Sequence, residues 1–144
     1  MKKTFAIIIF AFSCILACNA QGKIITVSEL PAGCTDFIKT HFTGTEIKSV
    51  VLKSDVTAVF EVTLKNGIKI EFNKKGEWTE VETKMLKVPN AIIPAPINEY
   101  VSINHPKVAV SMIEKEGANT KIRLSDGSEL KFNKAYQIID VDNE

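Results

Sequence analysis

Cysteine is scarce in this chain, and so are long apolar runs and any excess of one charge. Two of the three cysteines, Cys14 and Cys18, lie near the start, which leaves Cys34 alone in the rest of the 144 residues. A lone cysteine excludes an intramolecular disulfide framework, so packing has to stabilise the fold. The 18 Lys and Arg residues nearly balance the 17 Asp and Glu residues and form no basic block, which argues against nucleic-acid binding.

Patterns that indicate catalysis are also absent. The sequence contains no phosphate-binding glycine loop, nucleophile elbow or His-Glu-x-x-His motif. The two histidines, His41 and His105, lie at the edge or end of predicted helices, where structural roles are expected. Cys34 lies one helical turn before Phe37, which predicts a buried and inert thiol. The acidic residues alternate along predicted strands and do not gather in a calcium-binding loop. We therefore predict no enzymatic activity, no cofactor and no metal.

The start of the chain has the features of an export signal. Met1 is followed by two lysines, and an apolar stretch runs over residues 5–17. That stretch has 13 residues, which is short of the roughly 20 needed to span a bilayer. These features predict a secretory signal peptide over residues 1–20.

Two processing sites compete within this segment. Small residues precede Gln21, as general signal peptidase requires. The sequence ILAC, which ends at Cys18, instead resembles a lipobox, in which Cys18 would become the lipidated first residue. The first site is preferred, so we expect a periplasmic or secreted protein. The alternative is a lipoprotein tethered through Cys18, and membrane contact is expected only in that case.

An internal repeat is visible without gaps. Residues 61–82, EVTLKNGIKIEFNKKGEWTEVE, align with residues 121–142, KIRLSDGSELKFNKAYQIIDVD. Six positions are identical, and Leu30-Pro31 upstream is echoed by Val88-Pro89. The predicted organisation is a linker over residues 21–29, a first repeat over residues 30–84 and a second over residues 85–144.

Each repeat reads as one helix followed by strands. Apolar residues recur with helical spacing after Pro31 and again after Pro94, and His105-Pro106 ends the second helix. Beyond each helix, apolar and polar residues alternate, as in strands with one buried face. The predicted fold class is therefore α+β, with a helix packed on a meandering antiparallel sheet in each of two tandem repeats.

The turns refine this prediction. A three-residue loop ending at Gly67 or Gly127 keeps every apolar residue of its hairpin on one face, with glycine in the left-handed conformation. Gly76 suits another such loop, but Tyr136 stands at the equivalent place. Because a bulky residue with positive φ is rare, we expect the second loop to differ in shape. The strand after Gly76 is ambiguous, since Trp78 has core parity but shares it with two glutamates.

The outer face of the predicted sheet is polar, with charges exchanged between the repeats. Where the first repeat has Glu, Lys and Glu, the second has Lys, Glu and Lys. We predict that any partner binds this face, whose residues are Glu61, Thr63, Lys65, Lys69, Glu71, Lys121, Arg123, Glu129 and Lys131.

The combination of these elements resembles a known family. The segments LPAGCTDFIKTHF and VTLKNGIKIEFNKKGEWTEVE, behind a signal peptide, are similar to the bacterial PepSY-like proteins described as β-lactamase-inhibitor-like. The second half, with IRLSDGSELKFNKAY, carries the same signature more loosely, and the resemblance covers about residues 30–142. It implies an exported bacterial protein whose α/β repeats form a saddle-like sheet backed by helices. Because Ile138 replaces Trp78 in the second half, a surface role for that aromatic in both halves is not expected.

These observations predict a non-enzymatic binding module of the cell envelope. The expected partner is another envelope protein, such as a peptidase or other hydrolase that the module recognises or inhibits through its polar sheet face. An alternative is a periplasmic carrier that holds a small molecule or peptide between sheet and helices, for which a concave apolar pocket is required.

Overall fold

Nine strands and two α-helices make up the part of the chain that the structure, a computed structural model, describes, residues 22–54 and 57–143. The elements in order are β1 (Lys23–Ile25), a short 3-10 helix (Val27–Glu29), α1 (Ala32–His41), β2 (Ile47–Ser54), β3 (Val59–Leu64), β4 (Lys69–Phe72), β5 (Trp78–Glu82), α2 (Ala95–Asn104), β6 (Val110–Glu116), β7 (Asn119–Leu124), β8 (Glu129–Phe132) and β9 (Ile138–Asp142). The α+β class is confirmed. The predicted signal peptide, with Cys18, lies outside the described residues.

All nine strands belong to one antiparallel sheet. Their order in the sheet is their order in the sequence, from β1 at one edge to β9 at the other. For comparison below, β2 to β5 with α1 are called the N-terminal half, and β6 to β9 with α2 the C-terminal half. The halves are joined by pairing of β5 with β6, so the outer face is continuous across the junction.

Both helices cover the same face of the sheet. Phe37 of α1 meets Phe72 of β4 edge to face, with ring centroids 5.8 Å apart. Tyr100 of α2 meets Phe132 of β8 in the same way at 5.4 Å. Apolar side chains from both helices and the sheet form one buried cluster, which includes Cys34.

The helix ends follow the sequence signals. Pro31 and Pro94 occupy the N-cap positions, where the ring fixes φ and no intrahelical N–H bond is lost. His105 caps the C-terminus of α2 and donates its backbone N–H to the Val101 carbonyl. The helix boundaries predicted from the proline positions are therefore confirmed.

The two predicted glycine hairpins are confirmed in detail. The Leu64 N–H donates to the Ile68 carbonyl, and the Leu124 N–H donates to the Ser128 carbonyl. Gly67 and Gly127 end these loops with φ of 88° and 95°. This geometry puts the apolar residues of each hairpin on the helix-covered face and the charged ones on the other.

The expectation that the turn at Tyr136 differs from the turn at Gly76 is wrong. Tyr136 adopts φ of 59°, and its N–H donates to the Asn133 carbonyl, as the N–H of Gly76 does to Asn73. The cause is the asparagine that opens each turn. The Oδ1 atom of Asn133 accepts bonds from the backbone N–H groups of Ala135 and Gln137. These bonds hold the loop in one shape and stabilise a left-handed tyrosine against its steric cost.

A bulge resolves the ambiguous strand after Gly76. Trp78 pairs with Phe72 and packs against the core, but the register shifts before Glu80 pairs with Glu71. The extra residue reverses the parity, so Val81 is buried and the flanking glutamates face outward.

The segment predicted as a linker, residues 21–29, contains regular structure. β1 pairs with β2 through three residues, and a short 3-10 helix follows. The Glu29 carboxylate accepts a hydrogen bond from the Thr26 N–H at 2.7 Å and so closes this turn. The N-terminal segment is therefore a short edge strand of the sheet.

Candidate functional site

The outer face of the sheet carries two parallel rows of side chains. The first row crosses the strands from β1 to β9 through directly paired residues: Ile24, Val51, Glu61, Glu71, Glu80, Glu114, Lys121, Lys131 and Asp140. The second row lies beside it: Ser49, Thr63, Lys69, Glu82, Met112, Arg123, Glu129 and Asp142. Directly paired residues have Cβ atoms about 4.5–5.5 Å apart. Each row is therefore a line of contacting side chains.

The structure brings eight of the nine predicted site residues together in these rows. Glu61, Glu71, Lys121 and Lys131 belong to the first row, and Thr63, Lys69, Arg123 and Glu129 belong to the second. The exception is Lys65, which lies in the turn after β3 and pairs with Glu46 at the end of the sheet.

Nine members of the rows were not predicted as site residues: Ile24, Ser49, Val51, Glu80, Glu82, Met112, Glu114, Asp140 and Asp142. Four of them lie at the centre of the face. Glu80 and Glu82 were missed because the bulge in β5 reverses their parity. Glu114 and Met112 were missed because β6 lies outside the aligned part of the repeat. The alternation in residues 110–116, VSMIEKE, is the signal that could have found this strand, although its bulge at Ser111 breaks the pattern.

The charges of the first row are segregated by sign. Glu61, Glu71, Glu80 and Glu114 occupy four consecutive strands and are called the acidic quartet below. Lys121 and Lys131 occupy the next two strands. Like charges directly opposite each other destabilise a sheet, and the quartet contains three such pairs in succession.

One ammonium group lies across the first part of the quartet. The Nζ atom of Lys53 is 2.7 Å from Glu61 and also bonds to Glu71. Burial alone would lower the pKa of Lys53, but these hydrogen bonds raise it above its ordinary value. Lys69 approaches Glu61 more loosely, at 3.9 Å.

In the other half of the quartet, no described ammonium group lies within ion-pair distance of a carboxylate, although Lys121 is opposite Glu114 in the register. Among the described residues, no ion pair involves Glu80 or Glu114. Burial raises the pKa of Glu80 to about 7, and the carboxylates of Glu71, Glu114 and Glu82 add to this effect. Near neutral pH, the centre of the outer face thus holds a carboxyl group that exchanges a proton with solvent.

The C-terminal half of the face is paired within itself. Glu129 accepts bonds from Lys121 and from the Nε of Arg123, each at 2.9 Å, and these bonds lower its pKa. Arg123 also reaches Glu82 at 3.4 Å, and Lys131 binds Glu116 at 2.6 Å. These contacts form a network that joins β5 to β8 across the junction between the halves.

Cys34 is the free cysteine of the described residues, and it is buried. Burial raises the pKa of the Cys34 thiol to about 11, so the thiolate is disfavoured near neutral pH. Within the described ranges, no group of three or more His, Cys, Asp or Glu side chains is placed to hold a metal ion. Neither helix in the described ranges is long and apolar enough to cross a membrane.

Comparisons with known proteins identify the family. The model of the family described as "Putative beta-lactamase-inhibitor-like, PepSY-like" matches residues 58–140. This chain belongs to that family. The PepSY-like protein also resembles solved structures from Bacteroides, while a comparison with curated proteins found no match.

Three of those solved structures are similar along most of the chain. One is a "putative calcium-regulated periplasmic protein" of Bacteroides thetaiotaomicron, with 41% identity, a TM-score of 0.81, and coverage of 84% of this chain and 96% of the other. Two are from Bacteroides vulgatus: a "putative periplasmic protein" of the DUF2874 family with 38% identity, and a "putative periplasmic protein of unknown function" with 28%. Their TM-scores are 0.79 and 0.80, and each alignment covers 84% of this chain and 96% or 98% of the other. All three are described as periplasmic, which supports an exported, periplasmic location for the PepSY-like protein.

Proposed function

We propose that this protein is a non-enzymatic periplasmic binding module that recognises another envelope protein through the outer face of its sheet. The observation that carries the proposal is the segregation of like charges in the first row. An arrangement that places Glu61, Glu71, Glu80 and Glu114 side by side opposes folding. This row of carboxylates is favourable if a partner protein supplies cations to the glutamates that have none nearby.

The charge layout also describes the partner. A complementary surface presents basic side chains to Glu80 and Glu114, because Lys53 already pairs with Glu61 and Glu71. Lys121 and Lys131 already pair with Glu129 and Glu116. Such complementarity mainly sets the association rate and the choice of partner. An envelope peptidase or other hydrolase with a basic rim fits this description, and the module would then act as its inhibitor or adaptor.

The test is capture of envelope proteins by three immobilised forms of the chain. One form is unchanged, and one carries Glu80→Lys and Glu114→Lys, which reverse the two carboxylates of the acidic quartet that have no ion pair among the described residues. The control carries Asp36→Lys and Glu99→Lys, which reverse two exposed carboxylates on the helices, away from the two rows. Circular dichroism verifies that all three are folded.

We expect at least one protein to be retained by the unchanged and control forms and lost from the outer-face variant. Its binding should also weaken as salt is raised, since surface charges are screened. If all three forms retain the same proteins, or none retains any, the proposal is wrong.

Two further features support a binding role over catalysis. Cys34 and both histidines serve the core or the helix ends, so we propose that none of them reacts with a substrate. Thiol labelling of the native protein tests this directly. We expect Cys34 to stay unlabelled until denaturant is added, whereas rapid labelling would revive a redox or enzymatic role.

The carrier alternative has less support. A carrier needs a cavity between the helices and the sheet, but buried side chains such as Ile38, Ile97, Phe72 and Phe132 fill that space. Calcium regulation belongs to the name of the Bacteroides thetaiotaomicron neighbour, and the described residues of this chain offer no matching group of ligands.

We also propose that the two halves are tandem repeats of one unit. Matching registers support this, because Val62 pairs with Ile70 in one half and Ile122 with Leu130 in the other. The paired glycine hairpins and the asparagine-opened turns support it further. The consequence is a face twice the width that one unit could offer.

A further inference from the structure

The last strand of the sheet has an unused edge. β9 pairs with β8 on one side, and within the described residues no strand pairs with its other side. Val141 on β9 is 43% exposed, whereas its counterpart Val81 on β5 is fully buried. An open edge with an exposed apolar side chain is a site where another strand can add.

The N-terminal half shows what fits such an edge. Val81 pairs with Ile70 of β4, just as Val141 pairs with Leu130 of β8. On its other side, β5 is covered by β6, which places Ile113 opposite Val81. β9 therefore has the register of β5 without the strand that covers β5.

The strand that corresponds to β6 in the N-terminal half is β2. Ile113 of β6 pairs with Ile122 of β7, and Val50 of β2 pairs with Val62 of β3. Residues 62 and 122 are equivalent in the internal alignment. A β2 strand of another copy thus matches the empty place beside β9.

In the chain itself, β1 occupies that place on β2. Ile25 pairs with Val50 where Val81 pairs with Ile113 in the other half. β1 has only three residues, and Ile24 is 78% exposed. It is the short counterpart of the five-residue strands β5 and β9.

Charge favours β2, once β1 is displaced, over a second β9 as the strand that pairs with β9. β9 carries Asp140 and Asp142 and no cation, so pairing two β9 strands would bring four carboxylates together. β2 carries Lys48 and Lys53 and no carboxylate, although Lys53 also binds Glu61 and Glu71. β2 is therefore the better electrostatic match for β9.

Strand direction is consistent with this pairing. Every neighbouring pair in the sheet is antiparallel, so β1 and β9 run in the same direction. A second copy placed in the same orientation beside β9 presents β2 antiparallel to it once β1 is displaced. The core faces of both copies then lie on the same side.

We propose that β9 of one copy displaces β1 from β2 of a second copy, so that this protein joins head to tail through a continuous sheet. Val141 then lies opposite Val50, and Asp140 lies opposite Val51. The contact uses different surfaces on the two copies, so it produces chains or closed rings of several sizes.

The first experiment tests the identity of the paired strands. Exported chains carrying Asp140→Cys and Val51→Cys are prepared separately, mixed and mildly oxidised, with the unchanged chain as the background. We expect a disulfide-linked dimer in the mixture that neither variant forms alone. A dimer of Asp140→Cys with itself, or no cross-link at all, overturns the proposal.

The second experiment loosens β1 without adding charge or altering the core. A Cβ at Gly22 would lie 2.1 Å from the Leu52 carbonyl oxygen, so Gly22→Val has to push the start of β1 away from β2. We expect at least tenfold tighter self-association by sedimentation velocity over a concentration series.

A double variant that combines Gly22→Val with Val141→Lys is the control for this effect. It removes the apolar contact on β9 while leaving β1 loosened, so we expect return to the self-association of the unchanged chain. If Gly22→Val associates no more than the unchanged chain, or if the double variant stays associated, pairing between β9 and β2 is excluded.

Discussion

The turns that follow β4 and β8 have the same backbone shape but differ in how they are packed. Gly76 lies against the start of α1, where an added Cβ would be 3.0 Å from the Pro31 Cβ. Tyr136 takes the same position in the other turn and is 41% exposed. The backbone conformation is thus conserved between the halves by Asn73 and Asn133, whereas the packing around it is not.

A second difference lies in the aromatic cluster beside these turns. In the N-terminal half, Trp78 stacks on Phe37 with centroids 5.9 Å apart, and the Lys115 Nζ lies 3.7 Å above the Trp78 ring. In the C-terminal half, Ile138 stands in place of the tryptophan. The strand with the aromatic anchor is interior, and the strand without it is the edge, so each half is adapted to its place in the sheet.

The largest expected difference in stability between the halves comes from placing aspartate at two equivalent positions, 81 and 141. Val81→Asp puts a carboxylate into the core and should lower the free energy of unfolding by about 3 kcal/mol or more. Val141→Asp, at the exposed edge, should change it by less than about 1 kcal/mol. Urea unfolding of both variants measures the difference, and equal losses would contradict the burial of the two strands.

A smaller contrast is expected at the turns. Gly76→Ala combines a left-handed alanine with a close contact to Pro31, so it should cost about 2 kcal/mol. Tyr136→Ala keeps the same backbone without such a contact and should cost less than about 1 kcal/mol. Thermal unfolding of the two variants provides the comparison, and a larger loss at Tyr136 would show that its ring stabilises the turn.

The carboxyl group of Glu80 should make stability depend on pH. Its pKa is raised from 4.5 to about 7 in the folded protein, so the unfolded chain ionises first as pH rises. The free energy of unfolding therefore falls between about pH 4.5 and 7 and stays lower above that range. Glu80→Gln should remove this loss and stabilise the protein at pH 8 by about 1 kcal/mol, after allowance for solvent screening.

The control for this effect is Asp140→Asn, at the equivalent position of the C-terminal half. Asp140 is exposed and pairs with Lys131 in the register, so its replacement should change the free energy of unfolding by less than about 0.5 kcal/mol. Unfolding in urea between about pH 4.5 and 7 distinguishes the two variants. A stability gain for Glu80→Gln that is equal at pH 4 and pH 8 would show that ionisation is not its cause.

The smallest contrast is expected at the hairpin glycines. Gly67 and Gly127 both have positive φ, and nothing lies within 4 Å of an added Cβ at either position. Alanine should cost about 1 kcal/mol at each because the left-handed backbone is disfavoured. Unfolding midpoints that differ clearly between Gly67→Ala and Gly127→Ala would show that one hairpin carries strain that the other lacks.

The sequence predicts most of this architecture because its signals are local. The alternation of apolar residues sets the faces of β3, β4, β7 and β8. A single glycine then fixes the register of each hairpin. Eight of the nine predicted outer-face residues lie in the two rows for this reason.

The remaining features depend on contacts that local patterns do not encode. The bulge in β5 depends on pairing with β4, so the parity of Glu80 and Glu82 cannot be read from their own segment. The positive φ of Tyr136 depends on the backbone N–H groups that donate to the Asn133 side chain. The residue type at position 136 alone therefore predicts the wrong turn. β1 is too short to show a periodic pattern at all.

The order of the sheet has a consequence for how the chain acquires its structure. Each strand pairs with its immediate neighbours in sequence, and every connection is short except the two that contain α1 and α2. Most contacts are therefore local, which favours fast folding. A chain that crosses a membrane from its N-terminus delivers the strands in the order in which the sheet needs them. Each strand that emerges can then pair with the strand before it, which is already present. No early strand has to stay unpaired until the C-terminus emerges.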